Sequence, residues 1–210
     1  VLDSDYLPKR NFLKKIVKPF LEDEKVAFVQ AEWGFLNKDD NLISKVATIT
    51  YNAFHKCSMP VKERIGTAIF CGSGGAIRKK VLLEVGGWNE DSVTEDLDVS
   101  IKVLDKGYKQ VYLPNVSSEG EVPTTLKGFI RQQQRWAYGT TKALKDYFTR
   151  IIFSKKLSFL QKLDLLLITS GFLVFPFIIG VTLSTILVMS PHTTLLDNFL
   201  SLPVIVENTK

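Results

Sequence analysis

Cysteine is nearly absent from this sequence. Cys57 and Cys71 are the only two among 210 residues, too few for a disulfide framework. A reducing compartment with both thiols structural is the simplest reading. A signal peptide, internal repeats and low-complexity linkers are also missing. The chain opens at Val1 rather than at an initiating Met, inside what reads as a strand, so an N-terminally truncated domain is expected. No aromatic-interleaved basic stripe or nucleic-acid motif occurs. The net charge of +5 and pI near 9.1 therefore point to phosphate ligands or an anionic membrane surface, not to nucleic acid. With 45% hydrophobic and 23% charged residues, disorder is excluded on composition.

Charge itself disappears from Leu165 to Met189. A helix of that length exceeds the hydrocarbon core of a bilayer, so residues 164–189 are expected to form a transmembrane helix. A buried core helix is the plainer alternative, but buried helices rarely run so far without a charge. Pro176 and Gly180 are tolerated in membrane helices. Before the span, residues 149–163 alternate with helical period. Phe153, Leu157 and Leu160 share a face, and Lys155, Lys156 and Lys162 add positive charge. That pattern predicts an amphipathic helix lying on the lipid bilayer. Arg150 and those lysines precede the span, whereas His192, Asp197 and Glu207 follow it, which places the N-terminal part in the cytoplasm. Residues 190–210 are expected to be a loop or the start of a further membrane segment.

Residues 1–148 read as a soluble α/β domain. A buried strand is expected over 26–31, and a helix over 42–54 with the stripe Ile43, Val46, Ile49, Thr50 and Phe54. Residues 66–77 read as a strand interrupted by a glycine-rich turn, and 81–85 as a short helix closed by Gly86-Gly87. Thr94 is expected to cap a helix whose buried stripe is Leu97, Ile101 and Leu104, with Gly107 ending it. A strand over 108–113 and a long helix from Pro123 to about Phe148 complete the domain.

Four constellations can carry chemistry, and each has a plainer reading. Asp3-Ser4-Asp5 pairs carboxylates at i and i+2. They can hold Mg²⁺ or Mn²⁺ bridging a diphosphate, or can simply be solvated in a turn. In Thr94-Glu95-Asp96, one carboxylate suits the helix N-terminus, which leaves the other available as a general base. Gln132, Arg135 and Trp136 share a helix face. Arg can fork onto phosphate and Trp can floor a sugar, or the Trp can pack into the core. Gly139 extends that face and leaves room for something to approach. Phe70-Cys71-Gly72-Ser73-Gly74-Gly75 allows close backbone approach or is a tight turn; it lacks the Lys-Ser/Thr ending of a P-loop.

In this order, these elements resemble the processive members of glycosyltransferase family 2, the cellulose, chitin and hyaluronan synthases and the cellulose synthase-like enzymes. The carriers are Asp3-Ser4-Asp5 (D-x-D), Thr94-Glu95-Asp96 (T-E-D), Gln132-x-x-Arg135-Trp136 (Q-x-x-R-W) and the apolar span behind them. VQAEWGFLN at 29–37, FCGSGGAIRKKVLLEVGGW at 70–88 and GEVPTTLKGFIRQQQRWAYG at 120–139 look closest to the glucan and mannan synthases. Glu32 departs from the pattern, since relatives often carry Arg before the Trp.

The resemblance implies a GT-A type, Rossmann-like domain, inverting transfer of a hexose from UDP-glucose or a similar nucleotide-sugar, and a growing β-linked glycan as acceptor. It implies Asp96 as base with Glu95 its neighbour, and Asp3 and Asp5 on the metal and donor. Gln132 and Arg135 would steady the diphosphate, with Trp136, Cys71, Gly72 and Ser73 at the acceptor. The location implied is a plasma or Golgi-type membrane. The nucleotide-binding strands that the family places before D-x-D are not in this sequence, so these 210 residues alone are expected neither to hold donor tightly nor to catalyse. A non-processive transferase acting on a lipid carrier is the alternative enzyme, and an inactive membrane scaffold the alternative of another class.

Overall fold

The computed structural model describes residues 1–189, and the expectation for 190–210 lies outside them. Residues 1–172 form one compact unit; a second begins at Leu173.

The centre of the first unit is a mixed four-stranded sheet in the order β1-β4-β2-β3, with β1 at Leu7–Pro8, β2 at Val26–Phe35, β3 at Gly75–Ile77 and β4 at Lys109–Gly120. β2 runs parallel to β4 and antiparallel to β3. Residues 26–31 are all buried, as a central strand covered on both faces requires. β4 runs well past the 108–113 expected. Its ladder with β2 shifts register after Leu113, so that Ala31 faces Leu113 and Glu32 faces Ser117. Pro114 has no N–H for the ladder and sits at that irregularity. Strand structure in the glycine-rich region is confined to β3, because Gly72 and Gly74 both take positive φ and break an extended run. The backbone of Val1 exchanges hydrogen bonds with Gly75 (2.8 and 3.4 Å), while its side chain is exposed.

One face of the sheet is covered by α1 (Phe12–Glu22), through Phe12 and Ile16 against Val26, Val29 and Ala31. α2 (Leu42–Asn52) follows β2 and passes through a π-helical turn, Ala53–Ser58, into α3 (Met59–Ile65). The inward face of α2 is Ser44, Ala47, Thr48 and Tyr51, not the expected apolar stripe, and Ile49 is 69% exposed. Two stripes of comparable size lie on this helix, and packing of Ala47 and Tyr51 against Val122 decided between them. α4 (Lys79–Glu84) and α5 (Glu95–Asp105) follow. Leu97, Ile101 and Leu104 of α5 enter a core shared with Ala143, Tyr147 and Ile151 of α6 (Leu126–Phe153).

α6 starts later and ends later than expected. Thr125, whose hydroxyl accepts from the Gly128 N–H, is its N-cap. The amphipathic helix expected over 149–163 is thus divided. Its first part belongs to α6, and after a break α7 (Phe159–Ser170) begins at a Ser158–Gln161 capping box. Leu157 is buried in the break, whereas Phe153 is 78% exposed. Gln161 also donates to the Ile65 and Gly66 carbonyls, and Asp164 pairs with Lys62 Nζ at 2.6 Å. Described by itself, the second unit contains α8 (Val174–Met189), which is wholly apolar apart from Thr and Ser. A 3-10 turn, Gly171–Leu173, precedes it, so Pro176 falls in its first turn where a missing N–H costs little. The run Phe159–Ile186, with mean hydropathy 2.3, is long and apolar enough to cross a membrane.

The Lys62–Asp164 pair is largely desolvated, with side-chain exposures of 4% and 18%. Burial lowers the Lys62 pKa and Asp164 opposes that shift. Lys62→Ala leaves a recessed carboxylate unpaired, and about 3 kcal/mol of stability is expected to be lost. Lys62→Met/Asp164→Leu should recover most of it. Thermal unfolding of the full-length protein in detergent checks this; equal losses in both variants would contradict it.

Candidate active site

The site is assembled around the turn at residues 71–74. Gln30, fully buried in the middle of β2, accepts from Cys71 N–H through Oε1 (2.8 Å) and donates from Nε2 to the Ser73 carbonyl (2.8 Å). Trp33 Nε1 donates to the same carbonyl at 2.9 Å. Strict strand alternation puts residues 30 and 33 on opposite faces. The ladder irregularity between Ala31 and Glu32 lies between them, and both reach one acceptor. Ser73 in turn accepts the Asp3 N–H on its hydroxyl (2.9 Å), fixing the start of the Asp3-Ser4-Asp5 turn. Asp5 Oδ2 accepts the Glu121 N–H at 3.3 Å.

Asp96 faces this turn from the first turn of α5. A Cβ on Gly72, whose φ is +77°, would meet Asp96 Oδ2 at 3.3 Å. Ser100 on α5 bonds both ways, donating to the Asp96 carbonyl and accepting the Phe70 N–H. This ties the residues before Cys71 to the helix that carries the carboxylate. Thr94 occupies the N-cap position, but its side chain makes no capping bond. Burial pushes the Asp96 pKa up to about 7, Glu95 adds to the rise, and the Leu97 N–H bond and Arg135 oppose it. The Cys71 thiol is also raised, first by burial and then by Asp96.

α6 supplies the opposite wall. Gln132, Arg135 and Trp136 line a cleft of about 300 Å³ together with Asp3, Asp5, Cys71, Gly72, Glu95 and Asp96. Nine of the ten candidate residues therefore share one cleft. Ser73 is buried behind it, and its hydroxyl accepts the Asp3 N–H. Arg135 is exposed and makes no ion pair among the described residues. Trp136 is both cleft wall and partly packed, against Tyr51 at 5.3 Å between ring centroids. The Tyr51 hydroxyl donates to Gln132 Oε1.

Sequence reasoning missed Tyr6, Trp33, Phe35, Tyr51 and Glu121, all of which line the cleft. An excess of aromatics in 29–37 was a visible signal for Trp33 and Phe35. Tyr51 carried none, because it lies on the face of α2 taken to be outside. Glu32 beside Trp33 pairs with Lys56 at 3.8 Å, which gives its carboxylate a local partner.

The cleft holds a paired-carboxylate turn, a recessed carboxylate and an exposed guanidinium beside a mixed sheet, and the comparisons with known proteins identify this domain as a glycosyltransferase of the GT-A class. The description "Glycosyl transferase family group 2" matches residues 1–202, and the chain belongs to that family. It is similar to the probable glucomannan 4-beta-mannosyltransferase 6 of Oryza sativa subsp. japonica, with 31% identity over 78% of this chain and 29% of that protein. To glucomannan 4-beta-mannosyltransferase 2 of Arabidopsis thaliana it is 28% identical over 77% of this chain and 30% of the relative. The chain thus spans under a third of the length of these relatives. Among solved structures, the mannosyltransferase PcManGT from Pyrobaculum calidifontis, in complex with GDP-Man and Mn2+, shares the fold. The TM-score is 0.57 at 21% identity, covering 80% of this chain and 44% of that one.

The raised Asp96 pKa has a consequence for stability. The folded chain favours the neutral acid, so stability is lost as pH rises from the ordinary value of 3.8 through about 7. In the full-length protein, Asp96→Asn is expected to raise Tm above pH 7 and to leave it unchanged near pH 4. Thermal unfolding across that range measures it, and a pH-independent difference would count against the recessed carboxylate.

Proposed function

We propose that this chain carries the catalytic and acceptor side of a membrane-bound, inverting hexosyltransferase that extends a β-linked polysaccharide from a nucleotide-sugar. The observation that carries the reading is Asp96, a carboxylate poised near neutrality in the same cleft as the Asp3/Asp5 pair, Arg135 and an aromatic wall. A base with a pKa near the working pH combines a useful ionised fraction with enough basicity to take a proton from a sugar hydroxyl. Asp96 accepts that proton as the acceptor oxygen attacks the anomeric carbon. The nucleoside diphosphate leaves from the opposite side, so an α-linked donor gives a β-linkage.

The remaining residues orient and bind. Arg135 and Gln132 steady the departing diphosphate, and Glu95 maintains the local negative field beside Asp96. Trp136 offers its ring to the acceptor sugar, with Tyr51 setting the tilt of that ring. Cys71 and Gly72 border the acceptor terminus. Among the described residues no group of three His, Cys, Asp or Glu gathers to hold a metal. Two exposed carboxylates and a diphosphate are the donor set that suits Mg²⁺ or Mn²⁺, which keeps few protein ligands. Asp3 and Asp5 would hold that ion, whose role when bound is to neutralise charge on the leaving group. α8, the uncharged end of the apolar run Phe159–Ile186, anchors the enzyme in the bilayer. The relatives are named as mannosyltransferases, and the solved neighbour holds GDP-Man. GDP-mannose is therefore the first donor to test, ahead of the UDP-glucose expected from sequence.

Membranes carrying the full-length protein should incorporate label from one nucleotide-sugar into a high-mass glycan, and EDTA should stop it. A small lipid-extractable product would favour the lipid-carrier transferase, and no label from any donor would favour a scaffold. In the active enzyme, Asp96→Asn is expected to lower kcat at least about 1,000-fold with donor affinity kept. Near-normal turnover would remove Asp96 as the base. Trp136→Ala should raise the acceptor concentration needed for half-maximal rate, with donor KM little changed.

A further inference from the structure

α6 tapers toward the cleft. Its buried stripe is Gly139, Ala143, Tyr147 and Ile151, and its two smallest members, Ala143 and Gly139, are those nearest the end where Arg135 and Trp136 line the site. At Gly139 not even a methyl fits. A Cβ there would stand 2.2 Å from Thr94 Cγ2, 2.6 Å from its Oγ1 and 2.9 Å from its Cβ. Gly139 is not among the positive-φ glycines, so backbone freedom does not account for it. Glycine inside a helix is disfavoured relative to alanine, and close approach is the remaining reason for its presence.

Thr94 has little room to yield. It is buried, its carbonyl accepts the Asp98 N–H, and its hydroxyl has no hydrogen-bond partner among the described residues. Packing, not side-chain hydrogen bonding, holds this residue. Behind the contact, Leu97 and Ile101 of α5 and Ala143 and Tyr147 of α6 lie in one core cluster, so the two helices cannot part without disturbing it.

We propose that Gly139 is a positioning residue whose contact with Thr94 sets the separation between Asp96 and the Arg135–Trp136 wall. Asp96 lies two residues beyond Thr94, and Arg135 and Trp136 lie one helical turn before Gly139. The inference rests on the site reading above and adds to it a distance control outside the three motifs' charged residues. An added methyl at 139 pushes α5 and α6 apart at the cleft end, and an ångström of misplacement between reacting groups is costly in rate.

The test is made in full-length enzyme, with rates expressed per folded, monodisperse protein. Gly139→Ala is expected to lower kcat about 100-fold while donor KM changes by less than about threefold. Adding Thr94→Ala removes the two closest colliding atoms, Cγ2 and Oγ1, and leaves only the 2.9 Å approach to Cβ; it should restore at least about tenfold of the loss, with Thr94→Ala alone as the baseline. Unchanged kcat in Gly139→Ala, or a double variant no faster than Gly139→Ala, would overturn the proposal. Failure of the unsubstituted enzyme to transfer from any donor is a separate result, and it would overturn the site reading and this inference together.

Discussion

The structure depends most on one buried amide. Gln30 sits without solvent contact in the centre of the sheet, where an unpaired polar group would be costly. Its carboxamide is satisfied by the Cys71 N–H and by the Ser73 and Ala31 carbonyls. That need for partners pins the glycine-rich turn to β2. From the turn, Ser73 fixes the Asp3 backbone and Gly72 lies under the Asp96 carboxylate. One hydrogen-bonding requirement therefore sets two of the five acidic side chains of the cleft, Asp3 and Asp96, relative to each other.

The electrostatics of the cleft follow from that packing. Asp96 is recessed enough for burial to outweigh the attraction of Arg135, so its pKa rises to about 7. Asp3 and Asp5 stay exposed at the mouth. One cleft thus holds a recessed carboxylate, Asp96, and two exposed ones, Asp3 and Asp5. The aromatic side of the cleft is continuous with the core. Trp136 rests on Tyr51 and Tyr51 on Phe35, so the surface offered to a ligand is braced by packed residues from α2, β2 and α6.

Much of the framework was legible in sequence because its signals are local. Five apolar residues among the six of 26–31 mark a strand buried on both faces, and the Leu97, Ile101, Leu104 spacing marks the inner stripe of α5. Charge-free composition marks the apolar run after Asp164. The misreadings share a physical cause. α2 carries apolar residues on two sides, and periodicity cannot say which side meets a partner. Residues 149–163 keep helical period across the break at 154–158, because period survives a change of helix axis. β4 continues past Pro114 only because β2 accepts a shifted register there.

By itself, the sequence carried the resemblance to the family, through three short motifs in order and an apolar run behind them, since residue type and spacing are local properties of the chain. It also determined the local elements, because capping, period and positive-φ glycines act over a few residues. Only the tertiary structure decided that Asp3, Asp5, Asp96 and Arg135 share one cleft. It alone brought Trp33 and Tyr51 into that cleft and showed that the space left by Gly139 belongs to Thr94. Those facts depend on contacts between residues tens of positions apart, whose distances are set by packing and by the pairing of buried polar groups rather than by any local preference of the chain.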